Sequence, residues 1–330
     1  MGNPIDIILP WVDGSDPAWL AEKSATVPST EGDQRVNRYR DWGILQYWFR
    51  GVERFTPWIR TVHFITWGHL PPWLNTKHPK LHIVNHRDFI PEQYLPTFNC
   101  NPFEVNLHRI EGLADQFVYS NDDTFFIRPL DPEFFFRDGL PVDAALENVL
   151  QFYRPDGIDR IVANDLECLN MNFDKKEVIA AHRDKWYSRT YGKSVLKNFY
   201  LNPFSHFTGF VDPHMPNAYL KETFEQVWKA CPDRLEKTCT HRVRSNEDVN
   251  QWLFRYWQFA TGNFTPGNPN RGEFYVIGKD DEAIRAALLS QNTPIVCLSD
   301  DYPEIDFERE QAFLIDALNQ ILPDPCSFEI

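Results

Sequence analysis

The sequence predicts an α/β protein, a mostly parallel sheet flanked by helices with an inserted lid or helical segment, and two observations predict it. Short apolar or β-branched runs bounded by turn residues recur at Ile5 to Leu9, Thr61 to Thr66, Leu81 to Val84, Phe117 to Tyr119 and Ile295 to Leu298, the mark of strands. Helical patterns separate them, and strands alternating with helices imply parallel pairing in a Rossmann-like arrangement.

The elements follow in chain order. Between the first two strands, Tyr39 to Phe55 places Trp42, Leu45, Phe49 and Val52 at the three-or-four spacing of one buried helical face. A second helix is predicted over Phe103 to Leu113, after Pro102, and a third over Ala218 to Ala230, stopped by Pro232. From about 140 to 210 the periodicity is weak, charges are many and turns frequent. The expected organisation is therefore one domain over 1–330, with a core at 1–139 and 205–330 and an insertion or lid at 140–204.

Composition limits the function. With 42% hydrophobic and 15% aromatic residues in 330, the chain can bury a substantial core. The net charge of -14 excludes a nucleic-acid binder, which needs a dense basic face to displace counterions. Any anionic ligand must be met by local cations or a metal. No stretch approaches the ~20 apolar residues of a membrane span, and the N-terminus lacks a basic region followed by an apolar core. The expectation is a soluble, cytoplasmic protein. The six cysteines, at 100, 168, 231, 239, 297 and 326, include no CxxC pair and fit free thiols. Cys231, Cys239 and His241 form a loose cluster without the fourth ligand or the usual spacing of a zinc site.

Three features carry chemistry. First, three strands run out into acidic turns: Asp13-Gly14-Ser15-Asp16, Asn121-Asp122-Asp123 and Ser299-Asp300-Asp301. Ligands of open α/β sheets bind beyond the carboxyl ends of the strands, so these turns can converge. Paired carboxylates suit magnesium or manganese bridging phosphate oxygens, although Asp, Asn, Ser and Gly also begin turns for backbone reasons alone. Second, Glu104, His108 and Glu111 share one face of the helix expected after Pro102, a face fit for acid-base work or for solvent, with Arg109 beside it as a phosphate holder or a cap. Third, Ser245 and Asp248 resemble a capping box ahead of Val249, Leu253, Tyr256 and Phe259. Arg244 would then stand at a helix N-terminus, where amides and guanidinium could hold a phosphate, or it would be a surface residue paired with Glu247. His214, between Pro213 and Pro216, is a candidate general base or a structural histidine.

These residues belong to blocks spread along nearly the whole chain. They include Trp11-Val12-Asp13-Gly14-Ser15-Asp16-Pro17, Asn37 to Asp41, Pro72-Trp73-Leu74, Leu95 to Glu104, His108 to Leu113, Asn121-Asp122-Asp123, Ser205-His206, His214-Met215-Pro216, Arg244-Ser245 with Glu247-Asp248, Cys297-Leu298 with Asp300, and Ser327-Phe328-Glu329. By them the chain resembles the Stealth family of bacterial capsular-polysaccharide phosphotransferases, whose animal relative is the lysosomal-enzyme N-acetylglucosamine-1-phosphotransferase. The resemblance implies a nucleotide-sugar-transferase-like fold and transfer of a sugar-1-phosphate from a UDP-sugar, UDP-GlcNAc or another UDP-hexose, to a glycan hydroxyl, with release of UMP. Its functional positions carry over onto Glu104, Asp123, His214 and Arg244. This chain departs from the family pattern at Leu9-Pro10 and Cys100, which bears on sugar preference rather than reaction type.

On that resemblance His214, alone or with Glu104, takes the acceptor proton, and Mg2+ or Mn2+ sits near Asp122, Asp123 and Asp301. Arg244 steadies the transferred phosphoryl group. The Asp13-Gly14-Ser15-Asp16 turn binds the nucleoside with Arg38 and Asp41 nearby, and His108, Arg109 and Asn121 complete the substrate set. Peripheral association with capsule machinery at the inner face of the membrane is a further expectation. Two rivals remain: a metal-dependent glycosyltransferase releasing UDP, and a carbohydrate-binding module whose 11 Trp and 12 Tyr stack on sugars.

Overall fold

The computed structural model describes residues 3–152, 157–302 and 305–330. In chain order its strands are β1 (Ile5–Pro10), β2 (Val62–Thr66), β3 (Leu81–Asn85), β4 (Gln116–Tyr119), β5 (Thr124–Phe126), β6 (Phe136–Arg137), β7 (Leu140–Asp143), β8 (Asn217–Leu220), β9 (Thr265–Pro266), β10 (Glu273–Val276) and β11 (Ile295–Ser299). The main sheet has the order β3-β2-β1-β4-β8. Its first four strands pair in parallel and β8 runs antiparallel to β4. The expected α/β fold with a mostly parallel sheet is thus observed.

Alternation along β1 shows why this sheet sits at the centre. Ile7 and Leu9 join one apolar cluster with Trp48, Phe49 and Phe64. Ile8 joins the other, with Ile65, Phe117 and Tyr119. The sheet is buried on both faces, as parallel sheets must be. On the first face the helix Leu45–Phe55 buries Trp48, Phe49, Val52 and Phe55. Gly51 lets that helix close on β5, since a Cβ there would lie 2.6 Å from the Phe126 carbonyl oxygen. On the second face lies the helix Trp252–Thr261, buried along almost its whole length.

Several predicted boundaries change, each for a local reason. The helix expected from Tyr39 begins only at Leu45, because Asp41 Oδ1 accepts the Gly43 amide at 3.0 Å and Gly43 holds a φ of 65°. The helix expected over Phe103 to Leu113 breaks into Cys100–Glu104 and a 3₁₀ turn at Leu107–Arg109. There the Asn106 amide donates back to the Pro102 carbonyl at 2.8 Å and ends the run. The third helix starts at Lys221, its first predicted residues forming β8 instead, and Pro232 opens the next helix rather than merely ending this one. β11 leaves the main sheet and lies between β10 and β5.

The described residues of the segment 140–204 are largely helical, with helices at Ile158–Asn172, Lys175–Ala181, Arg183–Trp186 and Leu196–Leu201. Val162, Leu166, Leu169 and Trp186 belong to the same cluster as Ile8 and Phe117. None of the tryptophans is exposed, and Trp11, Trp19, Trp42, Trp48, Trp186, Trp252 and Trp257 are buried in packed positions. Core packing therefore accounts for much of the aromatic content that the sugar-stacking reading rested on.

Candidate functional site

The turn between β4 and β5 is the centre of the site. Ser120 continues the sheet by donating its amide to Ile8 at 3.0 Å, and Thr124 closes the turn by donating N and Oγ1 to the Asn121 carbonyl at 3.2 and 2.8 Å. Leu298, in β11, donates its amide to the Asp123 carbonyl at 2.8 Å, so two sheets clamp this backbone. Asp123 Oδ2 then lies 3.1 Å from His214 Nε2 and 3.5 Å from Cys297 Sγ. Asp123 Oδ1 is buried and has no hydrogen-bond partner among the described residues. Asp123, His214 and Cys297 each offer a ligand atom within 4.8 Å of the others. Asp122 is exposed at the surface, and the crowding of the turn together with the carboxylates of Asp123 and Asp41 raises its pKa above the ordinary carboxylate value.

His214 is oriented from two directions. The Asp123 carboxylate raises its pKa against the opposing effect of burial, and Asn121 Nδ2 also lies 3.1 Å from Nε2. With Nε2 protonated toward Asp123, the Asn121 side chain must turn its amide oxygen rather than its nitrogen to that N–H, and Nδ1 is the nitrogen left to take a proton. Behind it, Asp212 is held by Arg255 Nη1 at 2.7 Å and by the Tyr256 hydroxyl at 2.6 Å. Arg255 also grips Asp143 in bidentate fashion at 2.7 and 2.9 Å and donates to the Val211 carbonyl at 3.1 Å. This buried ion-pair network, built on one helix and β7, fixes the Asp212-Pro213-His214 turn.

Glu104 is buried, its Oε1 accepting the Tyr119 hydroxyl at 3.0 Å and its Oε2 the Gln251 amide at 3.1 Å. Burial raises its pKa, and Arg244 and His214 act on it through space in the opposite sense, so these charges converge. The helix break removes Glu104 from any shared face with His108. His108 and Arg109 pack instead on Phe224 and Trp228, where burial drives His108 down to about 3.

Arg244 lies in a loop, because the helix behind it starts only at Trp252. Asp248 builds that loop: Oδ2 accepts Asn99 Nδ2, Asn101 Nδ2 and the Ser245 amide at 2.9, 2.7 and 3.0 Å, and Oδ1 meets His241 Nδ1 at 2.6 Å. Arg244 Nη2 sits 3.9 Å from Cys100 Sγ, and among the described residues no carboxylate comes within 4.0 Å of the guanidinium. Its charge is left for something else.

The remaining acids form a rim. Asp13 Oδ1 accepts the Ser15 amide and hydroxyl at 2.8 and 2.6 Å, while its own amide donates to His69 Nε2 at 2.7 Å. Gly14 is required by close approach, since a Cβ would lie 2.2 Å from the Tyr39 carbonyl oxygen. Burial raises the Asp41 pKa, with Asp13 adding to it. Arg38 pairs with Asp33 at 2.8 Å, and Asp33 bridges to the Arg244 backbone. Asp300 meets Arg40 at 3.4 Å and accepts Asn37 Nδ2 on its carbonyl at 2.8 Å, while Asp301 is exposed and stands outside the Asp123, His214 and Cys297 grouping. Asp16 caps the helix Pro17–Thr26 through the Ala18 and Trp19 amides at 2.9 and 2.8 Å. Asp16→Ala is therefore expected to cost about 1 kcal/mol, a fall in Tm of roughly 1–2 °C by calorimetry, with Asp16→Asn restoring most of it.

Asp212, Arg255 and Asp248 are the parts of the site that the sequence reading left without these roles. A lone arginine inside Trp252-Leu253-Phe254-Arg255-Tyr256-Trp257 was the available signal, because a charge in an otherwise apolar helix needs a buried partner.

Comparison with known proteins gives a consistent result. Residues 3–31 match Stealth protein CR1, conserved region 1, and residues 38–142 match Stealth protein CR2, conserved region 2, the latter containing Glu104 and Asp123. The capsular polysaccharide phosphotransferase WcwK of Streptococcus pneumoniae is 38% identical over 98% of this chain and 98% of its own length. The receptor polysaccharide phosphotransferase WefC of Streptococcus oralis is 36% identical over 99% of this chain and 100% of its own. A solved structure of the galactosyltransferase LgtC, in complex with donor and acceptor sugar analogues, aligns with 97% of each chain at 10% identity and a TM-score of 0.42.

Proposed function

We propose, from the premise that the chain belongs to the Stealth family and is a sugar-phosphate transferase acting on capsular glycans, a specific reaction for it. It transfers a hexose-1-phosphate or N-acetylhexosamine-1-phosphate from a UDP-sugar to a sugar hydroxyl of a capsular or cell-surface glycan. The acceptor oxygen attacks the β-phosphorus, the bond from that phosphorus to the bridging oxygen breaks, and UMP leaves. The bond between sugar and phosphate oxygen stays intact, so the anomeric configuration is kept.

The observation that carries this reading is the Asp123–His214 pair, at 3.1 Å, in electrostatic reach of an Arg244 that has no carboxylate partner among the described residues. His214 Nδ1 takes the acceptor proton while Asp123 holds Nε2–H, and Arg244 binds the phosphoryl oxygens as charge shifts onto the leaving group. Glu104, fixed by Tyr119 and Gln251, adds a negative charge that favours the protonated imidazole. Asp13, Gly14, Ser15, Asp41 and Asn121 form the nucleotide side of the cleft in this reading.

The residues present fit a magnesium or manganese ion. The buried Asp123 Oδ1 lacks a partner among the described residues, the adjacent Asp122 adds a second carboxylate, and both are hard oxygen donors. The Cys297 thiol is a soft donor, ill matched to either ion. Asp122 and Asp123 would hold the ion, whose contribution is neutralisation of diphosphate charge. No helix among the described residues is long and apolar enough to cross a membrane. We place the enzyme in the cytoplasm, in peripheral contact with the inner face of the membrane.

The test is the released nucleotide. Incubation with a panel of UDP-sugars and glycan acceptors is expected to give UMP and a phosphorus-31 phosphodiester signal. Release of UDP with no diester would replace this reading with glycosyl transfer.

A further inference from the structure

We propose that the surface carried by residues 189–204 is a docking face for a bilayer bearing anionic lipids. This deepens the peripheral location proposed above and rests on that reading, while using residues that take no part in the phosphotransfer chemistry.

The segment is firmly built. Asn198 is fully buried and donates Nδ2 to the carbonyls of Ala145 and Trp186 at 2.8 and 2.6 Å, while its Oδ1 accepts the Glu147 amide at 2.7 Å. Lys175 Nζ, itself buried, donates to the Leu201 carbonyl at 2.7 Å. On this braced backbone Leu196, Phe199, Tyr200 and Phe204 are 50%, 51%, 75% and 51% exposed. Four large apolar side chains held outward within nine residues form a contiguous stretch that soluble surfaces rarely retain without use.

Charge identifies the occupant. Between Arg183 and Phe204 the chain has five basic residues and one acidic one, Asp184, in a protein of net charge -14. Arg189, Lys193 and Lys197 are exposed and have no hydrogen-bond or ion-pair partner among the described residues. Lys193, Leu196, Lys197, Tyr200 and Phe204 follow one another at spacings of three, one, three and four. Leu196, Lys197 and Tyr200 thus share one side of the helix Leu196–Leu201, with Lys193 just before it and Phe204 just after it. In a protein interface charges are driven to the rim. At a lipid surface the two kinds of side chain work together, with rings and leucine entering the acyl boundary while lysine and arginine heads stay at the phosphates. A surface of this kind attaches the enzyme without a spanning helix, and an acceptor presented at that surface would reach the cleft from the same side of the bilayer.

The test uses the full chain and sedimentation with lipid vesicles, of phosphatidylcholine alone or with about one third phosphatidylglycerol. Wild type is expected to sediment with the mixed vesicles, less so at high salt, and to stay in solution with phosphatidylcholine alone. Replacing Arg189, Lys193 and Lys197 together by Gln should weaken vesicle binding on the order of 100-fold, at ~1 kcal/mol per cation. A second variant, with Phe199, Tyr200 and Phe204 changed to Ser, should weaken it comparably. Both variants should keep the wild-type rate of UMP release with a soluble acceptor, since none of the changed side chains belongs to the cleft. Unchanged vesicle binding in both variants overturns the proposal. So does an absence of binding by wild type together with a concentration-dependent dimer that either variant dissociates, which would make the face a contact between copies. Failure of UMP release in wild type tells against the reaction proposed above and leaves the vesicle result to stand or fall by itself.

Discussion

His214→Ala is expected to lower kcat by about 10²- to 10⁴-fold, the usual contribution of a positioned general base. The loss should fall on kcat rather than on KM for the donor, because the imidazole meets the acceptor hydroxyl and not the nucleotide. Asp123→Asn should share the defect, since an amide lacks the charge that stabilises the protonated imidazole and offers only one acceptor oxygen where Asp123 has two. Combining the two should cost little more than the worse single change, because residues acting as a unit are not additive. Steady-state release of UMP gives both parameters. If His214→Ala turns over within a few-fold of wild type, the proton leaves by another route and the assignment fails.

The site was readable where its chemistry is local. Asn121, Asp122 and Asp123 announce themselves because carboxylates follow directly on an apolar strand, and a strand's carboxyl end is where an open sheet binds ligands. Glu104 was picked for a reason that the structure overturns. It was grouped with His108 and Glu111 on a helix that ends at Glu104 itself, and His108 is turned away against Phe224. What brings Glu104 into the cleft is Gln251, 147 residues later, and no periodicity can express that. Arg244 is similar. The reading of Ser245 with Asp248 found a true hydrogen bond, Ser245 N to Asp248 Oδ2, but attached it to a helix start that lies further on. The bond closes a loop because Asn99 and Asn101 compete for the same carboxylate.

The fold shows the same division. β1 and β2 are legible because each is a largely apolar run buried in the middle of the sheet, and β3 because β-branched Ile83 and Val84 mark it although it is a half-buried edge strand. β11 looks the same in sequence, yet it joins β5 and β10, since pairing depends on which edge is open and not on composition. Two helices were overextended for a common reason. Their hydrophobic spacing continues through residues whose backbone is committed elsewhere, by Gly43 in one case and Asn106 in the other.

Arg255→Met should produce the largest loss of stability, and its pH dependence identifies the cause. Arg255 is 2% exposed and satisfies two carboxylates, Asp143 and Asp212. Burial alone would raise Asp143, but Arg255 overrides it and holds that carboxyl below the ordinary range. Burial pushes Asp212 up to about 6 even with Arg255 present. A side chain of similar size without charge leaves both acids buried without the cation they share, a cost of about 3–5 kcal/mol. In a chain this long that corresponds to a fall in Tm of roughly 4–7 °C. In wild type the depressed Asp143 contributes stability that is present above the ordinary carboxylate pKa and lost as pH falls through the depressed one. The variant inverts this. With the cation gone, burial raises both acids, the folded state binds more protons than the unfolded state, and stability falls as pH rises from the ordinary carboxylate value through the raised ones. The deficit against wild type should therefore be greatest near pH 8 and shrink toward pH 5 in thermal melts. Arg255→Lys, which keeps the charge but cannot span both partners, should lose less stability and still lower kcat, because the Asp212-Pro213-His214 turn loses part of its anchor. A deficit that stays constant with pH would mean that packing, not charge, is what Arg255 supplies.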